Sequence, residues 1–164
     1  MIFDEIRDMR ADEYPLLENF LYEAVFQKDE RSPVPRDILR HPALRAYVED
    51  FGSRKGDLCL CAVMNGIVIG AVWTRLMRGF GHADDRIPEL AMAVHTPFRR
   101  QGTGTALITA VLRRLEREGF HAVSLSVQKQ NPAYALYSAM GFTVLHEHDE
   151  DCIMLRSLRH EGNI

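Results

Sequence analysis

The segment Glu89–Thr105, ELAMAVHTPFRRQGTGT, holds the residue types and spacings of this 164-residue chain that bear most directly on chemistry. An apolar run ends near His95, Pro97 marks a turn, and Arg99-Arg100-Gln101-Gly102-Thr103-Gly104 leads straight into a helical pattern. Gly102 and Gly104 carry no Cβ, so backbone there can approach a ligand closely. The first amides of a helix have no partner inside it and point outward, where the macrodipole favours negative charge. Arg99 and Arg100 add formal positive charge beside them. The segment therefore predicts a phosphate-binding turn. A Walker A loop is excluded, because no Lys follows Gly104. A dinucleotide fingerprint needs Gly or Ala three residues after the second glycine, where Leu107 stands, and more chain than the roughly 60 residues that remain.

Other residues could do chemistry. Tyr137 has a phenol that can give up a proton, yet Ala133, Leu136, Tyr137 and Met140 form one apolar stripe, which alone reads as core. Cys59 and Cys61 share a strand face, but with no further Cys pair or His at ligand spacing they read as buried thiols. His146 and His148 share a face near Asp149, Glu150, Asp151 and Cys152, which reads as a solvated acidic turn rather than a metal site. His95 reads as local in role. Trp73, Tyr22, Phe26, Phe80 and Tyr134 could line a pocket, most of them as core. Asp84, Asp85 and Glu89 could draw a cationic ligand by electrostatics.

The elements that must position these groups follow from periodicity. Ile2 to Met9 reads as a short strand. Leu16, Leu17, Phe20, Leu21, Ala24 and Val25 give a helix from Asp12 to about Phe26. A second helix is expected over Ala43 to Phe51, after Pro33, Pro35 and Pro42. LCLCAV is a buried strand, Asn65-Gly66 a hairpin turn, and IVIGAVWTRLM the returning strand. Arg78 to Arg86 is a polar loop, and Glu89 to Val94 a third strand. A helix from Gly104 to Glu118 stops at Gly119. HAVSLSV, a short helix Asn131 to Met140 ended by Gly141, FTVLHE and CIML complete an α/β chain: a mixed sheet flanked by helices on both faces.

Composition bounds the function. The chain fits one domain, over residues 1–160 with a tail at 161–164. Twenty basic against 23 acidic residues, a net charge of −3, leave no basic surplus for nucleic acid. No apolar run reaches the roughly 20 residues a membrane span needs. MIFDEIRDMRADEY is too charged for a secretory signal, and three cysteines argue against a disulfide framework. The expectation is a soluble cytoplasmic protein with no membrane or nucleic-acid partner and no metal.

RRQGTG resembles the Arg/Gln-x-x-Gly-x-Gly/Ala motif of the GCN5-related N-acetyltransferase (GNAT) superfamily, in which such a turn holds the pyrophosphate of coenzyme A. Asn131-Pro132-Ala133, Leu136-Tyr137 and Gly141-Phe142 are similar to that family's second signature, and the order of elements agrees over residues 1–158. The resemblance implies a mostly antiparallel sheet in which two parallel strands splay at the acetyl-CoA site. It implies that Met92, Ala93 and Val94 run along the pantetheine arm, the amide near Val94 polarising the thioester carbonyl. Arg99, Arg100, Gln101, Gly102, Thr103, Gly104 and Thr105 would hold the pyrophosphate, and Asn131 would contact the coenzyme while capping its helix, with Pro132 at the first helical position. Tyr137 would be the general acid for the departing thiolate. Family members draw the base from a Glu on one or the other splayed strand. Here Ser124, Ser126 and Gln128 offer no carboxylate on the second, which leaves Glu89 on the first, an exposed strand-end carboxylate, or a water chain. The implied activity is direct acetyl transfer to an amine. The runner-up readings are a non-catalytic acyl-CoA-binding module and a transferase of a longer acyl chain. The acceptor site would lie within Leu21 to Tyr47 and Leu76 to Glu89, and many family members are homodimers.

Overall fold

Alternation and turn chemistry build the first half of the sheet. A computed structural model of the chain describes residues 3–25 and 32–158, so Phe26 and the tail at 161–164 lie outside the described residues. Strand β1 (Glu5–Asp8) pairs antiparallel with β2 (Leu58–Met64), and β2 with β3 (Ile67–Arg75). Asn65 and Gly66 join β2 to β3 with φ of 50° and 78°, the left-handed pair a tight hairpin turn demands. β3 pairs antiparallel with β4 (Glu89–Val94). Helix α3 (Thr103–Arg117) then crosses to β5 (Ala122–Gln128), which lies parallel to β4. Strands β6 (Thr143–Glu147) and β7 (Asp151–Ser157) close a seven-stranded sheet of order β1-β2-β3-β4-β5-β7-β6, in which only β4 and β5 run parallel. The mixed, mostly antiparallel sheet is the architecture expected.

Two cores lie on opposite faces. Leu107, Ile108, Val111 and Leu115 of α3 pack with Tyr137 of helix α4 (Ala133–Ala139) against Leu60, Val72, Leu90, Val94, Val123 and Leu125. Leu17, Phe20 and Leu21 of helix α1 (Leu16–Ala24) pack on the other face against Cys59, Cys61, Ala71, Trp73 and Ala93. The two predicted N-terminal helices are both shorter than expected. A 3-10 turn at Ala11–Glu13 precedes α1, and Pro15 stands at its N-cap. Helix α2 is confined to Pro42–Arg45, after a 3-10 turn at Arg36–Arg40, and is capped by His41, whose ring accepts from the Ala43 amide. Residues 46–51 continue as turns because their groups are spent elsewhere: Arg75 takes the carbonyls of Ala46 and Glu49. Among the described residues no helix is long and apolar enough to cross a membrane.

Arg75 is only 1% exposed, and its guanidinium binds Asp57 at 3.0 and 2.9 Å while lying over the Phe51 ring. Removing one partner of a buried ion pair strands the other, at a cost of about 3–5 kcal/mol. Asp57→Asn should therefore lower the unfolding free energy by that amount, seen as a lower urea midpoint at unchanged slope. A loss below about 1 kcal/mol would mean that the two backbone carbonyls hold Arg75 unaided.

Candidate active site

β4 and β5 pair at one position, Glu89 with Ser124, where the Ser124 amide donates to the Pro88 carbonyl. Beyond it they separate. The His95 amide donates to the Ile69 carbonyl on the β3 side, so by alternation the amides of Met92 and Val94 face the opening between β4 and β5. Val94 thus offers an N–H to whatever enters the gap, and its carbonyl, on the same side, accepts from Arg99 Nε at 2.7 Å.

The turn after β4 has the form its sequence suggested. Arg100 (φ 62°) and Gly102 (φ 87°) are both left-handed, and a side chain at 100 in this region marks a strained, over-determined loop. The first helical bond of α3 runs from the Ala106 amide to the Gly102 carbonyl, so the amides of Thr103, Gly104 and Thr105 have no partner within the helix. Gly102 opens onto free space. Gly104 does not: a Cβ there would lie 3.2 Å from Leu136 and 3.4 Å from Met92. That contact places β4, the start of α3 and α4 against one another, so the two sequence motifs meet. The buried Thr103 hydroxyl has no partner among the described residues. A glycine-lined turn with free amides, flanking arginines and an orphaned hydroxyl suits a phosphorylated ligand.

Asn131 accepts the Ala133 amide on Oδ1 at 2.9 Å, and Pro132 already has helical dihedrals, so the expected cap is formed although α4 proper is shorter. It carries Tyr137 inward, tilted against Phe142, and burial pushes the phenol well above its ordinary range. The Tyr137 hydroxyl has no hydrogen-bond partner among the described residues and is not sealed off from solvent.

Glu89 is not brought to this group. Expected as an exposed carboxylate or as the base, it is 2% exposed and accepts from the Gly79 amide (2.7 Å), the Gly81 amide (3.1 Å) and the Tyr47 hydroxyl (2.8 Å). Burial and the nearby carboxylate push the Tyr47 phenol upward. Five residues of strand, roughly 16 Å, separate Glu89 from Val94. Its work is to pin the loop that covers β5: the Ser124 hydroxyl donates to the Gly81 carbonyl, and a Cβ on Gly81 would sit 2.6 Å from the β5 backbone. No periodicity reports such a contact; the Gly79-x-Gly81 spacing before a lone strand carboxylate was the only available sign.

The other expectations sort themselves by contact. Asp85 is bound by Arg78 at 2.8 Å and Asp84 by Arg86 at 3.3 Å, so each of these loop carboxylates has a positive partner of its own. Trp73 is core, its indole N–H on the Tyr47 carbonyl, and the Tyr22 hydroxyl donates to Val34. Tyr134 is half-buried against the α3-side core. Phe80 is 55% exposed and stacks on Tyr47. Cys59 and Cys61 are core thiols, burial pushing Cys61 up to about 11. Among the described residues no cluster of three His, Cys, Asp or Glu side chains is arranged to hold a metal.

A glycine-lined turn feeding a helix beside two parallel strands that separate past a single pairing defines a class of α/β folds. Within it the assignment is direct: the chain belongs to the acetyltransferase (GNAT) family, whose sequence model matches residues 4–142. It is 32% identical over 113 residues to a mycothiol acetyltransferase of Arthrobacter sp. (strain FB24), covering 68% of this chain and 34% of that protein. It is 32% identical over 92 residues to N-alpha-acetyltransferase 50 of Danio rerio, covering 55% of this chain and 54% of that one. The chain thus spans between a third and about half the length of these relatives. Its fold is similar to a phosphinothricin acetyltransferase of Sinorhizobium meliloti solved with acetyl-CoA, with a TM-score of 0.69, 22% identity and coverage of 99% and 91%.

Proposed function

We propose that this chain is a cytoplasmic, acetyl-CoA-dependent N-acetyltransferase that moves the acetyl group to a primary amine by direct attack in a ternary complex. The observation that carries the reading is the meeting of Met92, Gly104 and Leu136 beside a strand whose Val94 amide faces the β4–β5 opening. Both relatives named above are acetyltransferases, one of them by name acting on an α-amino nitrogen. Acetyl-CoA supplies an activated acyl thioester.

The chain's own groups do the rest. The amides of Arg100 to Thr105, with Arg99, Asn131 and the orphaned Thr103 hydroxyl, bind and orient the coenzyme. The Val94 amide donates to the carbonyl oxygen as charge develops on it, an effect generally worth about 3–4 kcal/mol per donor. Tyr137, kept protonated by burial, gives its proton to the departing sulfur. The loop pinned by Glu89 closes the acceptor side, with Phe80 on its rim.

Thermal melts with acetyl-CoA, free CoA and a longer acyl-CoA test the binding half, since a ligand selective for the folded state raises the midpoint with occupancy. Thiol release across a panel of amines tests the transfer half. Acetyl-CoA should give a clear upward shift and amine-dependent thiol release. A shift without release from any amine would favour a binding module, and no shift with any of the three ligands would overturn both readings.

A further inference from the structure

Transfer to an ammonium requires a proton acceptor, and the carboxylate on β4 is occupied by three donors. The residue following Val94 offers another group. His95 lies on the α1 face of the sheet, its ring stacked on Phe20 at 4.6 Å between centroids. Its Nδ1 stands 2.8 and 3.0 Å from the two oxygens of Glu23 on the last turn of α1. A carboxylate can only accept, so Nδ1 carries the hydrogen and the neutral ring keeps its lone pair on Nε2. Nε2 has no partner among the described residues, and the side chain is 29% exposed. Glu23 thus fixes the tautomer as an orienting carboxylate does for a catalytic imidazole.

The facing strand carries a complementary feature. Continuing the Glu89–Ser124 register by four residues puts Gln128 across the opening from Ala93, on this same face of the sheet. Its Oε1 is buried and unpaired among the described residues. A buried acceptor without a donor is costly unless a ligand supplies one. Two acceptors lacking donors, one from each splayed strand, flank the level at which the Val94 amide faces the opening. A group bringing two or more N–H bonds satisfies both; a hydroxyl or thiol, with one hydrogen, does not.

Resting on the transfer reading above, we propose that the Glu23–His95 pair takes the proton of a primary ammonium acceptor while Gln128 receives a second N–H. His95 Nε2 removes one proton from the ammonium. The freed nitrogen lone pair attacks the carbonyl carbon, forming the C–N bond. The C–S bond breaks with its electron pair passing to sulfur, which takes a proton from Tyr137. The second nitrogen proton returns to the Tyr137 oxygen, and the imidazolium beside Glu23 releases its proton to water.

The test uses His95→Asn, which keeps a donor for Glu23 but deletes Nε2, and two probes, n-butylamine (an ammonium at neutral pH) and butyric hydrazide (neutral there). Loss of a proton acceptor should cut kcat/KM with n-butylamine about 100-fold and with the hydrazide less than about 5-fold, the acetyl-CoA melt shift persisting. Equal losses with both probes, or none with the amine, would overturn the assignment. Nitrogen-15 spectra of the His95 ring probe the pair without any acceptor: Nδ1 should be protonated and Nε2 unprotonated in the neutral wild-type ring, and Glu23→Gln should redistribute them. A neutral ring protonated on Nε2 would sink the proposal even if transfer persists. Absence of any acetyl-CoA melt shift in the wild type would instead remove the transfer reading beneath it.

Discussion

Tyr137→Phe should lower the turnover number about 100-fold or more while leaving the affinity for acetyl-CoA and the melting temperature close to wild type. The separation follows from what the hydroxyl touches. The ring packs in the α3-side core beside Phe142, and Phe fills the same volume in the same rotamer. The hydroxyl has no partner among the described residues, so its removal orphans no buried group and costs the fold little. In the proposed reaction it is the donor to the departing sulfur, a role that matters only as the C–S bond breaks. Such a group affects turnover and leaves ground-state binding alone. The pH dependence has a definite sign: burial raises the phenol above its ordinary value of about 10, so the acid form persists at all ordinary assay pH values. No falling limb from Tyr137 should therefore appear between pH 7 and 10 (roughly the range in which an unperturbed phenol begins to ionise). Stopped-flow thiol release under single-turnover conditions measures the step directly. Wild-type turnover in Tyr137→Phe would hand the proton to water and remove Tyr137 from the mechanism.

Much of this geometry was legible in the sequence because it is local. The hairpin at Asn65-Gly66, the turn at Arg99 to Gly104 and the capped start of α4 each depend on a few neighbouring residues with special backbone or capping properties, and each forms as expected. That residues 92–94, 99–105 and 131 serve one ligand was implied by the resemblance rather than by periodicity, and the contact of Gly104 with Met92 and Leu136 is what the structure adds. What pattern could not give are the long-range polar contacts. Arg75 with Asp57, Tyr47 with Glu89 and Glu23 with His95 join residues 18, 42 and 72 positions apart. A charged residue in a strand looks the same in sequence whether it meets water or a buried partner. Asp84 and Asp85 show the converse: acidic residues that could draw a cation if free are already paired with Arg86 and Arg78. Helix α2 shows a third limit, since apolar spacing in Ala43 to Phe51 reflects packing of turns whose carbonyls serve Arg75.

Gly102→Asp should abolish coenzyme binding in a protein that still folds. The position is unusual in allowing that outcome. A Cβ at Gly102 meets nothing within 4 Å, so no packing is disturbed. The remaining folding cost is the left-handed backbone, about 1–2 kcal/mol for a typical L-residue and less for Asp, which tolerates that region. The carboxylate, however, enters the field of the free amides of Thr103 to Thr105, where it both occupies those donors and repels an incoming phosphate. Two unit charges about 4 Å apart near a protein surface interact by roughly 4 kcal/mol, enough to weaken binding by more than about 100-fold. Gly102→Asn separates the two contributions, since the amide carries the same Cβ and backbone cost without the charge. A melt titration should show the acetyl-CoA shift lost in the Asp variant and reduced in the Asn variant, with both unliganded midpoints within a few degrees of wild type. Equal shifts in wild type and Gly102→Asp would move the phosphate site away from this turn. An equal loss in both variants would assign the role to the conformation of the loop instead of to its charge, because then the shape of the turn, and not the sign at its mouth, decides what it binds.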